Sequence, residues 1–539
     1  MKARIENGVV YSPFPSVDIP LCSAYTLIKD ALSKSPERVA FVEGSVRTTR
    51  GDLLALMESY AAGFQQHGVG PGDRVCTHLK NSLENLAAMY GCIFAGATLV
   101  LAKTSLTQKE LRGQIIDSDS THVLTDVELT EKVKKATSGL ELKLLFAMDT
   151  VSGFVSTASF KDLDKSAFRG CPVEDPREAI IVVVYTSGTT GLPKGVEHTH
   201  YSFVANYFTS KPCNSSDEKD TVLASAPITH VSGLYLSLMP VLDGSMCVLT
   251  QPGIKLQEMA KLVKEHNTTS MFTFPTRLHA LIEEMLRTGE RLNSFRRIGV
   301  GGGALPQATY DAAFKAFANL ECIVNMYAMT ESGGLVCSPS MRSAKGTDMG
   351  FPAVMTEVKV VDPVTRMKLG PNETGEICFR NPMVMPGYYK RPKETAEFFE
   401  GNGWCRSGDA GYYDEDGRFH FIQRMKELVK CMDNQVVPAE LEQLLLQEHP
   451  ADIAEVAVVG IPHSQYGEAP AAAVVLKEKP TTYSTSELTD KIKRTIAENL
   501  AVHKQLYGGV FFLDFLPKNE MGKINRKALV EQCAAKICL

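Results

Sequence analysis

The sequence carries no excess of charge of either sign. Its 539 residues include 57 Lys and Arg against 62 Asp and Glu, a formal net charge of −5. A protein that binds nucleic acid or an anionic membrane over a broad surface needs a basic excess. Both classes are therefore excluded as the main function, and we expect no nucleic-acid partner. A small local cluster of cations is still compatible with this balance.

The cysteines form no disulfide or metal pattern. There are 13, an odd number, and no two stand in Cys-x-x-Cys spacing, so we expect a reducing compartment rather than a disulfide framework or a zinc site. The first residues also lack the apolar run of a secretory signal. We expect the cytoplasm. The peroxisome is the alternative, although the chain end matches the Ser-Lys-Leu address only at Leu539.

Long uncharged runs are scarce, and two of them need an interpretation. Residues 85–102 and 221–242 contain no Asp, Glu, Lys or Arg, and each is long enough to span a bilayer as a helix. The first contains two glycines and ends in a strand-like Thr-Leu-Val-Leu-Ala, and the second contains two prolines, a histidine and three serines. We therefore interpret both as buried helix and strand elements, with no transmembrane segment.

What the sequence does contain is an alternation of two patterns. Continuous β-branched runs, such as residues 179–185 and 297–300, are typical of strands buried on both faces of a parallel sheet. Between them, residues 257–265 and 277–286 have apolar side chains at helical spacing. From about residue 355 onward, short strands and tight turns indicate an antiparallel module.

These patterns predict an α/β protein, and the order of the motifs described below divides it into two domains. The first, residues 1–423, is a large N-terminal domain made of two covered β-sheet sub-domains and a small antiparallel β-module. The second, residues 424–539, is a small α+β C-terminal domain. Pro438 and the Ser484-x-x-Glu487 pattern predict the starts of two of its helices.

The most informative segment is a loop rich in glycine and hydroxyl side chains. Residues 185–196 read Tyr-Thr-Ser-Gly-Thr-Thr-Gly-Leu-Pro-Lys-Gly-Val and directly follow a predicted buried strand. Glycine lets backbone N–H groups wrap an anion, hydroxyls add donors, and Lys194 adds a positive charge. This is the chemistry of a polyphosphate site. It is not a Walker A loop, because Pro193 precedes the lysine.

This loop resembles the signature of adenylate-forming enzymes, which include acyl-CoA synthetases, 4-coumarate–CoA ligases and beetle luciferases. Five further family motifs follow in the family's order, starting at Tyr327, Gly375, Gly403, Arg424 and Pro517. They read Tyr-Ala-Met-Thr-Glu, Gly-Glu-Ile-Cys-Phe-Arg with a later Met-Pro-Gly-Tyr-Tyr, Gly-Trp-Cys-Arg-Ser-Gly-Asp, Arg-Met-Lys-Glu-Leu-Val-Lys and Pro-Lys-Asn-Glu-Met-Gly-Lys. The resemblance covers nearly the whole chain and includes a C-terminal domain that is mobile.

The resemblance implies a two-step reaction. A hydrophobic carboxylic acid, fatty or aryl, attacks ATP to give an acyl-adenylate and pyrophosphate, and CoA then displaces AMP. ATP, CoA and Mg²⁺ are thus the expected co-substrates and cofactor. The implied catalytic residues are Lys523, Thr330, Glu331 and His230, with Glu331 also holding the metal. Lys523 would bridge the substrate carboxylate and the α-phosphate.

The implied binding residues fall into three groups. The nucleotide site would comprise Thr186, Ser187, Gly188, Thr189, Thr190, Gly191, Lys194, Gly302, Gly303, Ala304, Tyr327, Ala328, Thr330, Asp409 and Arg424. The acid would be bound by His230, Val231, Ser232, Tyr235 and Ala328, and CoA by Lys430 and Gln435. Within the nucleotide site, Tyr327 would stack on adenine and Asp409 would accept hydrogen bonds from the ribose hydroxyls.

The sequence departs from the family pattern at three positions. Ala328 replaces a glycine, which would narrow the acid pocket, and Gln423 replaces an aspartate before Arg424. Asp433 replaces a glycine in the CoA segment, where it adds a side chain and a charge. Two alternatives to this function stay open: a luciferase-type monooxygenase that shares the adenylation step, and a non-catalytic acyl or nucleotide binder.

The sequence predicts no oligomeric state.

Overall fold

A computed structural model describes residues 1–186, 193–213, 216–340, 344, 346–432, 434–463, 465–477, 484–519 and 523–537. The chain divides into two compact units. Unit one comprises Met1–Lys359, Cys378–Arg406 and Asp416–Phe419, and unit two comprises Val360–Ile377, Ser407–Glu415 and His420–Leu539. The predicted border between residues 423 and 424 stays a prediction. None of the helices in the described ranges is both long and apolar enough to cross a membrane.

The helices are α1 (Ala24–Leu32), α2 (Arg50–Gln66), α3 (Leu83–Phe94), α4 (Gln108–Asp117), α5 (Thr130–Thr137), α6 (His200–Ser210), α7 (Val231–Leu242), α8 (Leu256–Glu265), α9 (Pro275–Thr288), α10 (Gln307–Ala316), α11 (Pro392–Phe398), α12 (Pro438–Glu448), α13 (Thr485–Asn499) and α14 (Arg526–Ile537). The strands are β1 (Arg4–Glu6), β2 (Val9–Tyr11), β3 (Val39–Glu43), β4 (Val46–Thr49), β5 (Arg74–His78), β6 (Thr98–Leu101), β7 (His122–Thr125), β8 (Leu144–Ala147), β9 (Val155–Ser156), β10 (Ile180–Thr186), β11 (Lys194–Thr199), β12 (Thr221–Ala224), β13 (Met246–Leu249), β14 (Ser270–Thr273), β15 (Arg297–Gly301), β16 (Cys322–Ala328), β17 (Leu335–Ser338), β18 (Phe351–Pro352), β19 (Glu357–Val361), β20 (Gly375–Arg380), β21 (Phe399–Glu400), β22 (Trp404–Tyr413), β23 (Phe419–Arg424), β24 (Val429–Cys431), β25 (Asn434–Val436), β26 (Ile453–His463), β27 (Gly467–Leu476) and β28 (Gly509–Phe512).

One sheet of unit one has the strand order β11-β10-β6-β5-β7-β8-β9. Its pairs are parallel except for β10 with β11, which form an antiparallel hairpin. Val182, Val183 and Val184 of β10 are all buried. Because successive strand residues point to opposite faces, both faces of this sheet are covered, as the continuous valine run predicted.

The second sheet of unit one has the order β18-β17-β16-β15-β14-β12-β13-β3-β4. Its central strands, from β16 to β3, run parallel. Helices α8, α9 and α10 cover part of it, with Met259, Leu281 and Ala313 in the same buried cluster as Ile298. The predicted α/β architecture with covered sheets is therefore confirmed, and the carboxyl ends of β12, β15 and β16 lie at one edge of this sheet.

Antiparallel pairing accounts for most of the remaining strands. In unit one, β2 pairs with β1 and with β19, and β21 pairs with β22. In unit two, the long hairpin of β26 and β27 is extended by β24 and β25, and β28 lies parallel to β27. Helices α12 and α13 pack on this sheet through Leu441, Leu445 and Ile492. The small antiparallel module and the α+β tail are both confirmed.

Local capping explains where several helices begin. The Thr107 hydroxyl accepts a hydrogen bond from the Glu110 N–H at 3.3 Å, and the Glu110 carboxylate accepts one from the Thr107 N–H at 2.8 Å. Ser484 and Glu487 form the same reciprocal box before α13. The Glu487 N–H donates to the Ser484 hydroxyl at 3.2 Å, and the Ser484 N–H donates to the Glu487 carboxylate at 2.6 Å. The Ser484 box was predicted, and so was Pro438 at the start of α12.

The two uncharged runs lie in the core of unit one. Residues 85–102 form most of α3 and all of β6, and residues 221–242 form β12 and α7. Leu86, Leu99, Leu234 and Leu238 are buried in one hydrophobic cluster. Burial on all sides, rather than contact with lipid, accounts for the lack of charge.

Candidate active site

The structure describes the two sides of the predicted phosphate loop. Thr186 is the last residue of β10 and Lys194 the first of β11, and the two are directly paired across the hairpin. Both side chains are half-buried. The predicted binding residues Ser187, Gly188, Thr189, Thr190 and Gly191 lie outside the described residues. The hairpin thus fixes where this loop starts and ends.

The predicted adenine-binding residues follow two neighbouring parallel strands. β15 ends at Gly301, which is paired with Met326 of β16. Gly302, Gly303 and Ala304 come directly after β15 and are exposed, and Gly302 has a φ of +79°, which glycine adopts at little cost. Tyr327 is buried near the end of β16, and Ala328 is exposed. The two segments therefore leave the sheet at the same edge.

Thr330 and Glu331 lie in a single helical turn, Thr330–Ser332, directly after β16. The Ser332 hydroxyl accepts the Met329 N–H at 3.2 Å and closes this turn. Gly333 ends it with a φ of +67°, and a Cβ at this position would lie 1.9 Å from the Met383 carbonyl oxygen. Only glycine fits here, so the position of Glu331 depends on this close approach.

Tyr388 connects Glu331 with Lys194. Its phenol donates a hydrogen bond to Glu331 Oε1 at 2.9 Å, and Lys194 Nζ lies 5.0 Å from the centre of its ring. Burial and the neighbouring Glu331 carboxylate raise the pKa of Tyr388, so the phenol stays protonated. Sequence reasoning assigned no role to Tyr388, although its Met-Pro-Gly-Tyr-Tyr segment was recognised as a family motif.

Glu331 is compatible with the implied magnesium ion. Mg²⁺ in nucleotide enzymes is commonly held by one or two carboxylates together with substrate phosphates. Glu331 is half-buried, and one of its oxygens is engaged by Tyr388. Within the described ranges, no cluster of three or more His, Cys, Asp or Glu side chains could hold a metal without a substrate. The residues present therefore suit an ion that arrives with the nucleotide.

Four of the five predicted acid-binding residues lie at or near the start of α7, and the fifth, Ala328, ends β16. His230 Nδ1 accepts the Ser232 N–H at 3.2 Å and lies 2.7 Å from the Ser232 hydroxyl. Because Nδ1 accepts the backbone hydrogen bond, Nε2 carries the hydrogen of the neutral ring. At Gly233 a Cβ would lie 1.8 Å from the Pro227 carbonyl oxygen, which fixes the helix close to the preceding loop. Val231 is half-buried, and Tyr235, which also belongs to α7, is buried.

A narrow cavity of about 20 Å³ lies between the end of β12, α7 and β14, and it has room for about one water-sized group. Ser232, Leu236 and Phe272 line it. Of these, only Ser232 was predicted. Phe272 lies in β14, and the signal that would have found it is its place near the carboxyl end of that strand.

Unit two contains the predicted ribose-binding pair. Asp409 is 5% exposed, and Arg424 Nε lies 3.7 Å from Asp409 Oδ1. The Asp409 N–H donates to the Ser407 hydroxyl at 3.0 Å. Arg424 is exposed, and Gln423 beside it is buried. The carboxylate is thus fixed, and the guanidinium is accessible.

The remaining predicted residues also lie in unit two. Lys523 and Asn519 are joined by two hydrogen bonds: the Lys523 N–H donates to Asn519 Oδ1 at 3.0 Å, and the Lys523 carbonyl accepts the Asn519 N–H at 2.8 Å. Lys430 is exposed in β24, and its N–H donates to Glu468 Oε2 at 2.7 Å. Gln435 lies opposite Lys430 in β25, but its side chain and Asp433 lie outside what the structure describes.

Comparison with known families assigns the two parts of the chain. Residues 28–389 match the AMP-binding enzyme family, and residues 440–523 match the AMP-binding enzyme C-terminal domain. The chain belongs to the AMP-binding enzyme family. This confirms the resemblance to adenylate-forming enzymes that the six ordered motifs predicted.

Full-length relatives refine this assignment. The chain is 30% identical to 4-coumarate–CoA ligase 5 of Oryza sativa subsp. japonica, over 99% of this chain and 98% of that one. It is 29% identical to peroxisomal OPC-8:0-CoA ligase 1 of Arabidopsis thaliana, over 97% and 96%. The structure is similar to O-succinylbenzoate coenzyme A synthetase of Bacillus subtilis in complex with AMP, with a TM-score of 0.78, 27% identity, and coverage of 95% and 98%. The prediction of an AMP-forming acid–thiol ligase is confirmed at this level.

Proposed function

We propose that this enzyme activates a hydrophobic carboxylic acid with ATP and transfers the acyl group to CoA. The observation that carries this proposal is the juxtaposition in unit one of Lys194, Tyr388 and Glu331 with both ends of the phosphate loop. A cation and a carboxylate set around a hydroxyl-rich loop suit a metal-bound polyphosphate. The AMP-binding family assignment supports the same chemistry.

In the first step, an oxygen of the substrate carboxylate attacks the α-phosphorus of ATP. A new O–P bond forms, the bond to the β-phosphate oxygen breaks, and pyrophosphate leaves. Two anions must approach each other, so catalysis depends on positioning and on fixed positive charge. Lys194 and the loop hydroxyls hold the β- and γ-phosphates, Thr330 donates to the α-phosphate, and Lys523 stabilises the charge on the meeting oxygens.

Glu331 would hold the Mg²⁺, which neutralises phosphate charge when bound. Tyr327 and the exposed Gly302–Ala304 backbone bind adenine, in which the tyrosine ring offers a stacking face. The buried Asp409 carboxylate accepts hydrogen bonds from the ribose hydroxyls, and Arg424 binds ribose or phosphate.

The acid is bound beside α7. His230 offers its Nε2–H, the hydrogen that remains after Nδ1 accepts the Ser232 backbone. Leu236 and Phe272 give the small cavity beside Ser232 an apolar wall, which favours an apolar group of the acid at this point. Ala328 is expected to narrow the acid pocket relative to glycine. Two relatives that are named as CoA ligases of organic acids support this class of substrate.

In the second step, the CoA thiol loses its proton to solvent and attacks the acyl carbonyl carbon. A C–S bond forms, the bond between the acyl carbon and the phosphate oxygen breaks, and AMP leaves. Lys430 and Gln435 are the proposed CoA-binding residues. The exposed position of Lys430 in β24 supports contact with a large anionic co-substrate.

A panel of fatty and aryl acids tests the proposal, with pyrophosphate release and acyl-CoA formation measured separately. We expect acid-dependent pyrophosphate release with hydrophobic acids and a thioester once CoA is added. The Glu331→Gln variant should lose both. Absence of acid-dependent pyrophosphate release across the panel would contradict the proposal.

A further inference from the structure

The segment that contains Tyr388 is fixed by backbone hydrogen bonds on both sides. The Met385 N–H donates to the Glu331 carbonyl at 3.0 Å, and the Tyr389 N–H donates to the Gly195 carbonyl at 2.8 Å. One end of the segment is thus attached to the Glu331 turn and the other to β11, directly after Lys194. The Tyr388 N–H also donates to the Thr395 hydroxyl at 3.0 Å.

The Tyr388 side chain then has little freedom. Its ring packs edge-on against Phe398, with the ring centres 6.0 Å apart, and Lys194 Nζ lies over it at 5.0 Å from its centre. With the ring fixed, the phenol oxygen has a fixed position 2.9 Å from Glu331 Oε1. A glutamate otherwise loses considerable rotamer freedom when it is ordered on a ligand.

We propose that Tyr388 is a positioning residue that presets the Glu331 carboxylate for the metal–nucleotide complex. The phenol engages one carboxylate oxygen before the substrate arrives. Outer hydrogen bonds of this kind typically improve metal affinity by about 10- to 100-fold because they orient the ligand. The inference rests on the proposed function, in which Glu331 holds the metal.

The test measures metal binding rather than turnover. Mn²⁺ replaces Mg²⁺, and an ATP analogue with a methylene between the α- and β-phosphorus prevents reaction. Free and bound Mn²⁺ are then distinguished by electron paramagnetic resonance, and the affinity for the analogue alone is measured in the presence of a chelator.

The Tyr388→Phe variant keeps the ring, its packing on Phe398 and its contact with Lys194, and loses only the hydroxyl. We expect it to bind Mn²⁺ about 10-fold more weakly in the presence of the analogue, with unchanged metal-free affinity for the analogue. The neighbouring Tyr389 supplies the matched control, because its phenol donates to Asp119 Oδ2 at 2.7 Å. Tyr389→Phe removes an equivalent bond and should bind Mn²⁺ like the wild type.

A double-mutant cycle separates positioning from mere support of the fold. In the Glu331→Gln background, Tyr388→Phe should add no further loss of Mn²⁺ affinity, because its effect passes through the carboxylate. The Tyr388→Leu variant also removes the aromatic face below Lys194, so it should weaken metal-free nucleotide binding as well.

Two results would overturn the inference alone: Tyr388→Phe binding Mn²⁺ like Tyr389→Phe, or its loss persisting undiminished in the Glu331→Gln background. A wild-type enzyme that binds no nucleotide at all would overturn the proposed function and this inference with it.

Discussion

Lys523 is the residue on which we expect the proposed adenylation step to depend most. Its backbone is held by Asn519 through two hydrogen bonds, which gives an otherwise long and flexible side chain a fixed starting point. Lys523→Ala should lower acid-dependent pyrophosphate exchange by about 100-fold or more, because one preorganised donor to a developing oxyanion is lost. ATP binding, measured by calorimetry, should be retained.

The control for Lys523 is Lys527, an exposed lysine in α14. Lys527→Ala should exchange pyrophosphate like the wild type. Normal exchange in Lys523→Ala would remove this residue from the catalytic set.

His198 gives the stability of the enzyme a dependence on pH. It is fully buried, and burial lowers the pKa of its imidazole to about 4, from an ordinary value of 6.5. Between these values the unfolded chain binds the proton and the folded chain does not. Above about pH 6.5, His198 therefore does not lower the free energy of unfolding. As the pH drops toward 4, this residue lowers the free energy of unfolding by up to about 3 kcal/mol.

The His198→Leu variant should lose less thermal stability than the wild type when the pH is lowered from about 7.5 to about 5. Part of the dependence should remain, because burial also lowers the pKa of His78 and of His200 to about 4. His279→Leu, at an exposed position of α9, is the control and should behave like the wild type. Parallel pH dependences of His198→Leu and the wild type would refute the prediction.

At the scale of elements, the turn that bears Glu331 depends on Gly333. The residue has a φ of +67°, and a Cβ would lie 1.9 Å from the Met383 carbonyl oxygen. Gly333→Ala must therefore displace either the turn Thr330–Ser332 or the segment around Met383. We expect a lower melting temperature and a loss of pyrophosphate release that added Mg²⁺ does not restore.

Gly113, inside α4, offers a matched comparison because nothing lies within 4 Å of a Cβ at that position. Gly113→Ala should raise stability slightly, by about 0.5–1 kcal/mol, because alanine is the better helix former. If Gly333→Ala had the same melting temperature and the same rate of pyrophosphate release as Gly113→Ala, the close approach of Gly333 to Met383 would not matter for function.

Elements were predictable where the determining contacts are local. The Thr107–Glu110 and Ser484–Glu487 boxes join residues three apart, and each was readable from the sequence. The hydrogen bond between Tyr388 and Glu331 joins residues 57 apart. Its partners come together only after the sheet and the segment around Met383 have packed, so no local pattern could have paired them. Phe272 was missed for the same reason, since the cavity beside it forms only when α7 packs on the strands.

At the scale of the whole molecule, the residues proposed to bind CoA are separate from those proposed for adenylation, although both units contribute to the adenylation set. The predicted phosphate, adenine and acid groups lie in unit one, whereas Asp409, Arg424, Lys430 and Lys523 belong to unit two. A change confined to the CoA segment of unit two should therefore affect thioester formation without affecting adenylation. Asp433 is the position for such a change, because the family pattern has glycine where this chain adds a side chain and a charge.

Asp433→Gly should leave the single-turnover rate of pyrophosphate release unchanged and raise the rate at which CoA consumes the acyl-adenylate. The expected gain is several-fold, because the family resemblance implies that CoA passes this segment, and removing a negative charge there would lessen repulsion of an anionic co-substrate. It should shrink at high ionic strength if repulsion is the cause. Asp433→Asn separates charge from volume: a gain equal to that of glycine assigns the effect to the charge, and no gain assigns it to the side chain's size. If neither variant changed CoA consumption, the departure from the family pattern at Asp433 would have no bearing on the second half-reaction.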